Sequence, residues 1–296
     1  MEEFEVKLPS GHVQKGRAYK AEGSKKNLLI MTGMEEHSAR YEDFALFLNG
    51  KGFDVYVLDA VGQGLNAPNP DDQMKWYPNA FDENVTAANI KIEELKKEKP
   101  TSLMGHSMGS FMTQRYLELF PNTVERAVLC GSNGPNGIYG IAHALASLRT
   151  NEKNFDKTDA FMEKLGLGGY SKAIKDAKTP CDWLSYNEEN VQKYIADPYC
   201  GHPATHGFWK EFTGTMSKIY KKDSLAKVSL DEHLLLIAGE EDPVGGAKGV
   251  GKLEEMYKKL GVKDVTKIIY PHMRHEILNE NDKQVVYDDV AKFLLA

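Results

Sequence analysis

Short apolar runs with the length of buried strands alternate along most of this chain with longer stretches of helical period, and that alternation constrains the fold more than any other feature. Leu28 to Met31, Val55 to Leu58, Ser102 to Met104, Val128 to Cys130, Leu234 to Ala238 and Thr266 to Tyr270 read as strands. Tyr41 to Asn49, Phe81 to Lys97, Met108 to Leu119, Lys252 to Leu260 and Lys283 to Leu295 read as helices. Parallel strands need crossovers that cover the sheet, so the pattern predicts an α/β fold: a mostly parallel sheet with helices on both faces. Ahead of it, Phe4 to Leu8 and His12 to Tyr19 flank Pro9, Ser10 and Gly11, the pattern of a hairpin entering the sheet.

The alternation stops across residues 134–227, a stretch too long to be a structureless loop. Its aromatic residues include Phe208 and Phe212, which with Met216 fall at four-residue steps on one helical face. The expectation is an inserted helical cap over the strand ends, where open α/β sheets place ligands, carried by a core of residues 1–133 and 228–296. The cap segment Ile138, Tyr139, Ile141, Ala142, Ala144, Leu145 and Leu148 could receive an acyl chain, touch lipid transiently, or pack on the core.

Charge removes other classes of function. The formal net charge of -6 is spread along the chain, and Lys96, Lys97 and Lys99 are balanced by Glu93, Glu94 and Glu98, so no nucleic-acid partner is expected. No apolar run is long enough to span a bilayer, and no basic stretch followed by an apolar one opens the chain. The 3 cysteines, Cys130, Cys181 and Cys200, lie far apart without a CxxC pair; they suggest the cytoplasm and no structural zinc. His202 and His206 are four apart, but Pro203 between them disfavours a metal-binding helix, and they read as cap-surface residues. No cofactor is implied.

Gly105-His106-Ser107-Met108-Gly109 matches Gly-x-Ser-x-Gly, and its context gives the match its weight. Thr101 to Met104 precede it as a buried strand, and Phe111, Met112, Arg115, Tyr116 and Leu119 follow at helical spacing. A sharp strand-to-helix turn strains its central residue and lifts the Ser107 hydroxyl above the sheet, while the first helical amides, notably that of Met108, face any oxyanion formed beside it. A serine nucleophile needs a base and a group that orients the base, in the chain order Ser, acid, His. His275 is the expected base; His272, directly after Pro271, serves the turn. Three carboxylates compete in Gly239-Glu240-Glu241-Asp242-Pro243, and Asp242 is favoured because Pro243 fixes the turn and its short side chain has a defined reach. His37, Ser38 and His106 are assigned to loop structure and to the protein interior.

With these residues placed, the chain resembles the α/β-hydrolase superfamily, and within it the monoacylglycerol lipase and lysophospholipase-like serine hydrolases. Thr32-Gly33-Met34-Glu35-Glu36-His37-Ser38-Ala39-Arg40-Tyr41 matches the group's HGxxEHSxRY oxyanion segment, with Thr32 in place of its histidine. Asp59-Ala60-Val61-Gly62-Gln63-Gly64 matches its D-x-x-GxG turn, with Val61 and Gln63 where arginine and histidine are usual. Asp197-Pro198-Tyr199-Cys200-Gly201 is similar to a DPxCG segment in the caps of bacterial members, and Arg274 to Glu280 to their histidine segment. The resemblance implies that the Met34 amide is the second oxyanion donor and that the substrates are small carboxylic esters resembling monoacylglycerols or lysophospholipids. Peptidase or thioesterase chemistry on the same residues, and a slow-turnover ligand receptor, are the alternatives.

Overall fold

The computed structural model describes every residue except 68. The chain opens with the antiparallel hairpin of β1 (Glu2–Lys7) and β2 (Val13–Tyr19). The alternating region follows as β3 (Lys26–Met31), α1 (Glu42–Asn49), β4 (Phe53–Leu58), α2 (Ala80–Leu95), β5 (Thr101–His106), α3 (Met108–Leu119) and β6 (Ala127–Cys130). Six helices then separate β6 from the next strand: α4 (Ile138–Arg149), α5 (Ala160–Gly166), α6 (Tyr170–Ala173), α7 (Glu188–Ala196), α8 (His206–Met216) and α9 (Lys222–Leu225). The chain closes with β7 (His233–Gly239), α10 (Gly246–Leu260), β8 (Asp264–Tyr270) and α11 (Lys283–Leu295).

The strands form one eight-stranded sheet in the order β1-β2-β4-β3-β5-β6-β7-β8, antiparallel only where β2 meets β1 and β4. This is the mostly parallel, helix-covered sheet expected from the alternation. Strand β3 shows how it is held. Leu29 and Met31 belong to the cluster containing Phe81 and Val85 of α2 and Phe111 and Tyr116 of α3. Leu28 and Ile30 belong to the cluster containing Phe44 and Leu48 of α1 and Val290 and Leu294 of α11. Alternate side chains feed two helical layers, so the strand is apolar throughout and reads as a run.

Helix α10 begins six residues before the predicted Lys252. Gly246, Gly249 and Gly251 hide the helical period there, and Gly249 is needed because a side chain would meet Asn133 Oδ1 at 2.6 Å. The segment between β6 and β7 is helical as expected. Thr205 accepts from the Phe208 amide and so caps α8, while its hydroxyl reaches the Met74 carbonyl at 2.9 Å. Phe208, Phe212 and Met216 do share one apolar cluster, with Phe208 against Trp76 at 4.4 Å between ring centroids and Phe212 against Phe81 at 6.1 Å. Among the described residues, no helix is long and apolar enough to cross a membrane.

Candidate active site

Ser107 sits between the last residue of β5 and the first of α3 with φ 51° and ψ -118°, a conformation that side chains beyond glycine rarely hold. The flanking glycines make the turn possible. A Cβ at Gly105 would lie 2.0 Å from the Gly109 carbonyl oxygen, and one at Gly109 would lie 2.1 Å from that of Met31. Strand, helix and the neighbouring β3 therefore approach backbone to backbone. The turn is pinned by the Ser107 amide donating to the Cys130 carbonyl at 2.9 Å and by the Ser110 hydroxyl donating to the Ser107 carbonyl at 2.6 Å.

The predicted acid and base meet. His275, in the loop after β8, places Nδ1 3.0 Å from Asp242 Oδ1, in the loop after β7, and both side chains are almost wholly buried. A carboxylate only accepts, so Nδ1 carries the proton of this bond and Nε2 is the nitrogen left to face the cavity. Asp242 is fixed in turn by the Val244 amide, 2.9 Å from the same oxygen. Glu240 and Glu241 are exposed; Glu241 accepts from the Tyr186 hydroxyl at 2.5 Å instead. His272 is exposed as well.

Ser107 and His275 line one cavity of about 670 Å³, walled largely by apolar side chains from both the sheet end and the inserted helices, including Phe111, Leu145, Trp183, Trp209 and Met216. Met34 and Met108 line it too. Among the described residues neither of their amides donates a hydrogen bond within the protein: Met108 N–H is an orphan of the first helical turn, and Met34 N–H sits in the turn after β3. The segment Ile138 to Leu148 forms α4, whose Ile138, Tyr139, Ile141, Ala142 and Leu145 face this space.

The turn bearing Met34 is braced by Gln63, a residue the sequence marked only as a departure from a family pattern. Its side-chain oxygen accepts from the Glu35 amide at 3.1 Å, and its nitrogen donates to the carbonyls of Gly33 at 2.8 Å and Glu36 at 3.0 Å. Thr32 makes no such brace: its buried hydroxyl has no partner among the described residues.

A buried charged network that sequence reasoning missed joins this turn to the His275 loop. Glu36 Oε1 accepts from the Gly33 amide at 2.6 Å, the Tyr41 hydroxyl at 2.7 Å and His106 Nδ1 at 3.1 Å. Arg40 donates to Glu36 at 3.0 Å, to both oxygens of Glu276 at 2.5 and 2.7 Å, and to Asn190 of α7 at 3.1 Å. Burial works against the Glu36 anion, yet His106, Arg40 and Tyr41 hold its carboxyl down at about 2. Burial likewise opposes a charged His106, but the bond to Glu36 outweighs it and raises its pKa. Nε2 of His106 faces the His275 carbonyl at 3.4 Å, so both ring nitrogens point at acceptors, an arrangement that favours the protonated ring. His106 thus points into the protein, as its place in the turn suggested.

The inserted segment reaches His275 directly. The Trp183 ring lies 5.1 Å from the His275 ring, centroid to centroid, and the Glu276 amide donates to the Leu184 carbonyl at 2.7 Å. Burial and the neighbouring Glu163 carboxyl of α5 push the Glu35 carboxyl well above its ordinary range. His202 and His206 do not converge: His202 turns to the Pro198 carbonyl, and His206 is half-buried beside Asp159 rather than on the surface.

Known proteins agree with this architecture. The chain is 24% identical to a monoacylglycerol lipase of Mycolicibacterium smegmatis over 280 residues, covering 91% of this chain and 88% of that one. It is 25% identical to human monoglyceride lipase over 283 residues, covering 92% and 84%. A thermostable carboxyl esterase from Bacillus coagulans superposes with a TM-score of 0.85 over 99% of this chain and 97% of its own, at 24% identity, a likeness of fold. The family model described as "Serine aminopeptidase, S33" matches residues 22–282, so the chain is an α/β-hydrolase of that serine hydrolase family.

Proposed function

We propose that this chain hydrolyses carboxylic esters through an acyl-enzyme on Ser107. The observation that carries the reading is the convergence of the strained Ser107 turn, the buried His275–Asp242 pair and two undonated amides on one apolar cavity. Ser107 Oγ attacks the ester carbonyl as His275 Nε2 takes its proton, and the Met34 and Met108 amides stabilise the resulting oxyanion. Collapse breaks the bond to the alcohol oxygen, which receives the proton from His275 and leaves. Water then loses a proton to His275, attacks the acyl carbon, and the carboxylic acid departs as Oγ is reprotonated. Asp242 holds the tautomer and stabilises the transient imidazolium.

The cavity's size and apolar wall suit an acyl chain with a small alcohol, which together with the names of the two lipase relatives supports a monoacylglycerol- or lysophospholipid-like ester. In this reading residues 134–227 are a cap on a core of 1–133 and 228–296. The free thiols of Cys130, Cys181 and Cys200 fit the reducing cytoplasm. The family's description favours a second reading, release of N-terminal residues from peptides by the same machinery. Glycerol monoesters of graded chain length, p-nitrophenyl esters, thioesters and aminoacyl anilides, assayed together with Ser107→Ala as control, decide between them. Ester turnover that vanishes in Ser107→Ala is expected. Preference for anilides would replace the ester reading, and full activity without the hydroxyl would end both. Slow fluorophosphonate labelling with no turnover of any substrate would point instead to a receptor.

A further inference from the structure

We infer that His37, Asp197 and Cys200 form a binding site for one divalent transition-metal ion of the zinc class. The DPYCG turn has no part in the proposed chemistry, yet the structure folds Asp197 and Cys200 back against His37, the residue after Glu36 in the oxyanion segment. One imidazole nitrogen, one carboxylate oxygen and the Cys200 sulfur all lie within 4.8 Å of one another. His37 Nε2 and Asp197 Oδ2 are 2.9 Å apart. Ligands about 2.0–2.3 Å from a tetrahedral zinc lie roughly 3.3–3.8 Å apart, so closing on an ion asks for shifts of only about an ångström.

The donor set selects the ion. Calcium and magnesium require mainly oxygen ligands, whereas imidazole with thiolate suits zinc or cobalt. Charge also fits. Arg40, the neighbouring cation, bonds directly to Glu36 and both oxygens of Glu276, and a dication would balance a thiolate and a carboxylate as ligands here. Cys200 is buried against Leu184 and Tyr194. On binding, its proton passes to water, Asp197 turns from accepting the imidazole N–H to co-ligation, and the imidazole proton moves to Nδ1. Asp197 is the most exposed of the three, with 28% of its side chain accessible, which leaves a side open for a water as fourth ligand. The backbone is preset for this arrangement. The Tyr199 amide holds Asp197 Oδ1 at 2.8 Å, and the Gly201 amide donates to the Glu35 carbonyl at 3.1 Å.

The test is titration of the chelator-treated protein with cobalt(II), following the thiolate charge-transfer and tetrahedral visible bands. One equivalent should bind, and the bands should vanish in Cys200→Ser and persist in Cys181→Ser. Zinc-edge X-ray absorption on the unaltered chain, which needs no variant to fold, should find one sulfur among nitrogen and oxygen ligands. Absence of a stoichiometric cobalt spectrum, its survival in a folded Cys200→Ser, or a zinc shell without sulfur would each overturn the proposal.

Discussion

Gln63 illustrates what a single position decides. Its three hydrogen bonds hold both sides of the turn that presents the Met34 amide, and a displacement of about 1 Å at such a site can cost roughly 100-fold in rate. Gln63→Ala should therefore lower kcat by about 10- to 100-fold with a small effect on KM, measured on the best ester of the panel, while the melting temperature moves little. Asp242→Asn tests the other side. Its amide can present N–H rather than oxygen to His275 Nδ1, reversing the tautomer, and kcat should fall by about 10⁴. Ser107, Asp242 and His275 were legible in the sequence as candidates because each follows a strand that announces itself, and strand ends in this fold share one edge. Gln63 could not, since its role is read from three backbone partners that only the folded turn assembles.

At the level of elements, the tight meeting of β5, α3 and β3 rests on the absence of side chains. Gly109→Ala would drive a methyl to within 2.1 Å of the Met31 carbonyl oxygen, a backbone atom that cannot turn aside. A loss of about 3 kcal/mol or more, the upper end of overpacking costs, is expected in urea melts, together with loss of turnover as Ser107 shifts. Elements with regular periods were legible in the sequence, down to the limits of α3 and α11. Helix α10 was cut short by its glycines. The helices between β6 and β7 were legible as helices, but not their assembly. Asp159 accepts from the Phe161 and Met162 amides at the start of α5 while Arg149 of α4 grips it at 2.7 and 2.9 Å, and such long-range pairing leaves no periodic trace.

Across the whole molecule, Arg40 is the point where three distant stretches of chain join: the turn after β3, α7 of the insertion and the loop after β8. Arg40→Met would leave Glu276 buried without its cation and Glu36 with His106 alone, and a loss of about 3–5 kcal/mol is expected from chemical denaturation. The same network sets the response to acid. The Glu36 pKa is lowered to about 2 from an ordinary 4.5, so its stabilising contribution is complete above about 4.5 and is lost as pH falls toward 2. Denaturation midpoints should decline through that window, and the decline should be shallower in Glu36→Gln. Glu36 lies only four residues from Arg40, but Asn190 and Glu276 are far from both in sequence, which is why spacing and period were silent about how they join.

The main-chain bond from Glu276 to Leu184, with the Trp183 ring tilted against that of His275, has a practical bearing on redesign. The stretch at 183–184 is sewn to the backbone of the His275 loop, so it cannot swing away with a hinged flap without dragging that loop along. Swapping this region for a relative's, in order to alter which esters are accepted, would have to leave those two positions in place and exchange only the helices upstream of them.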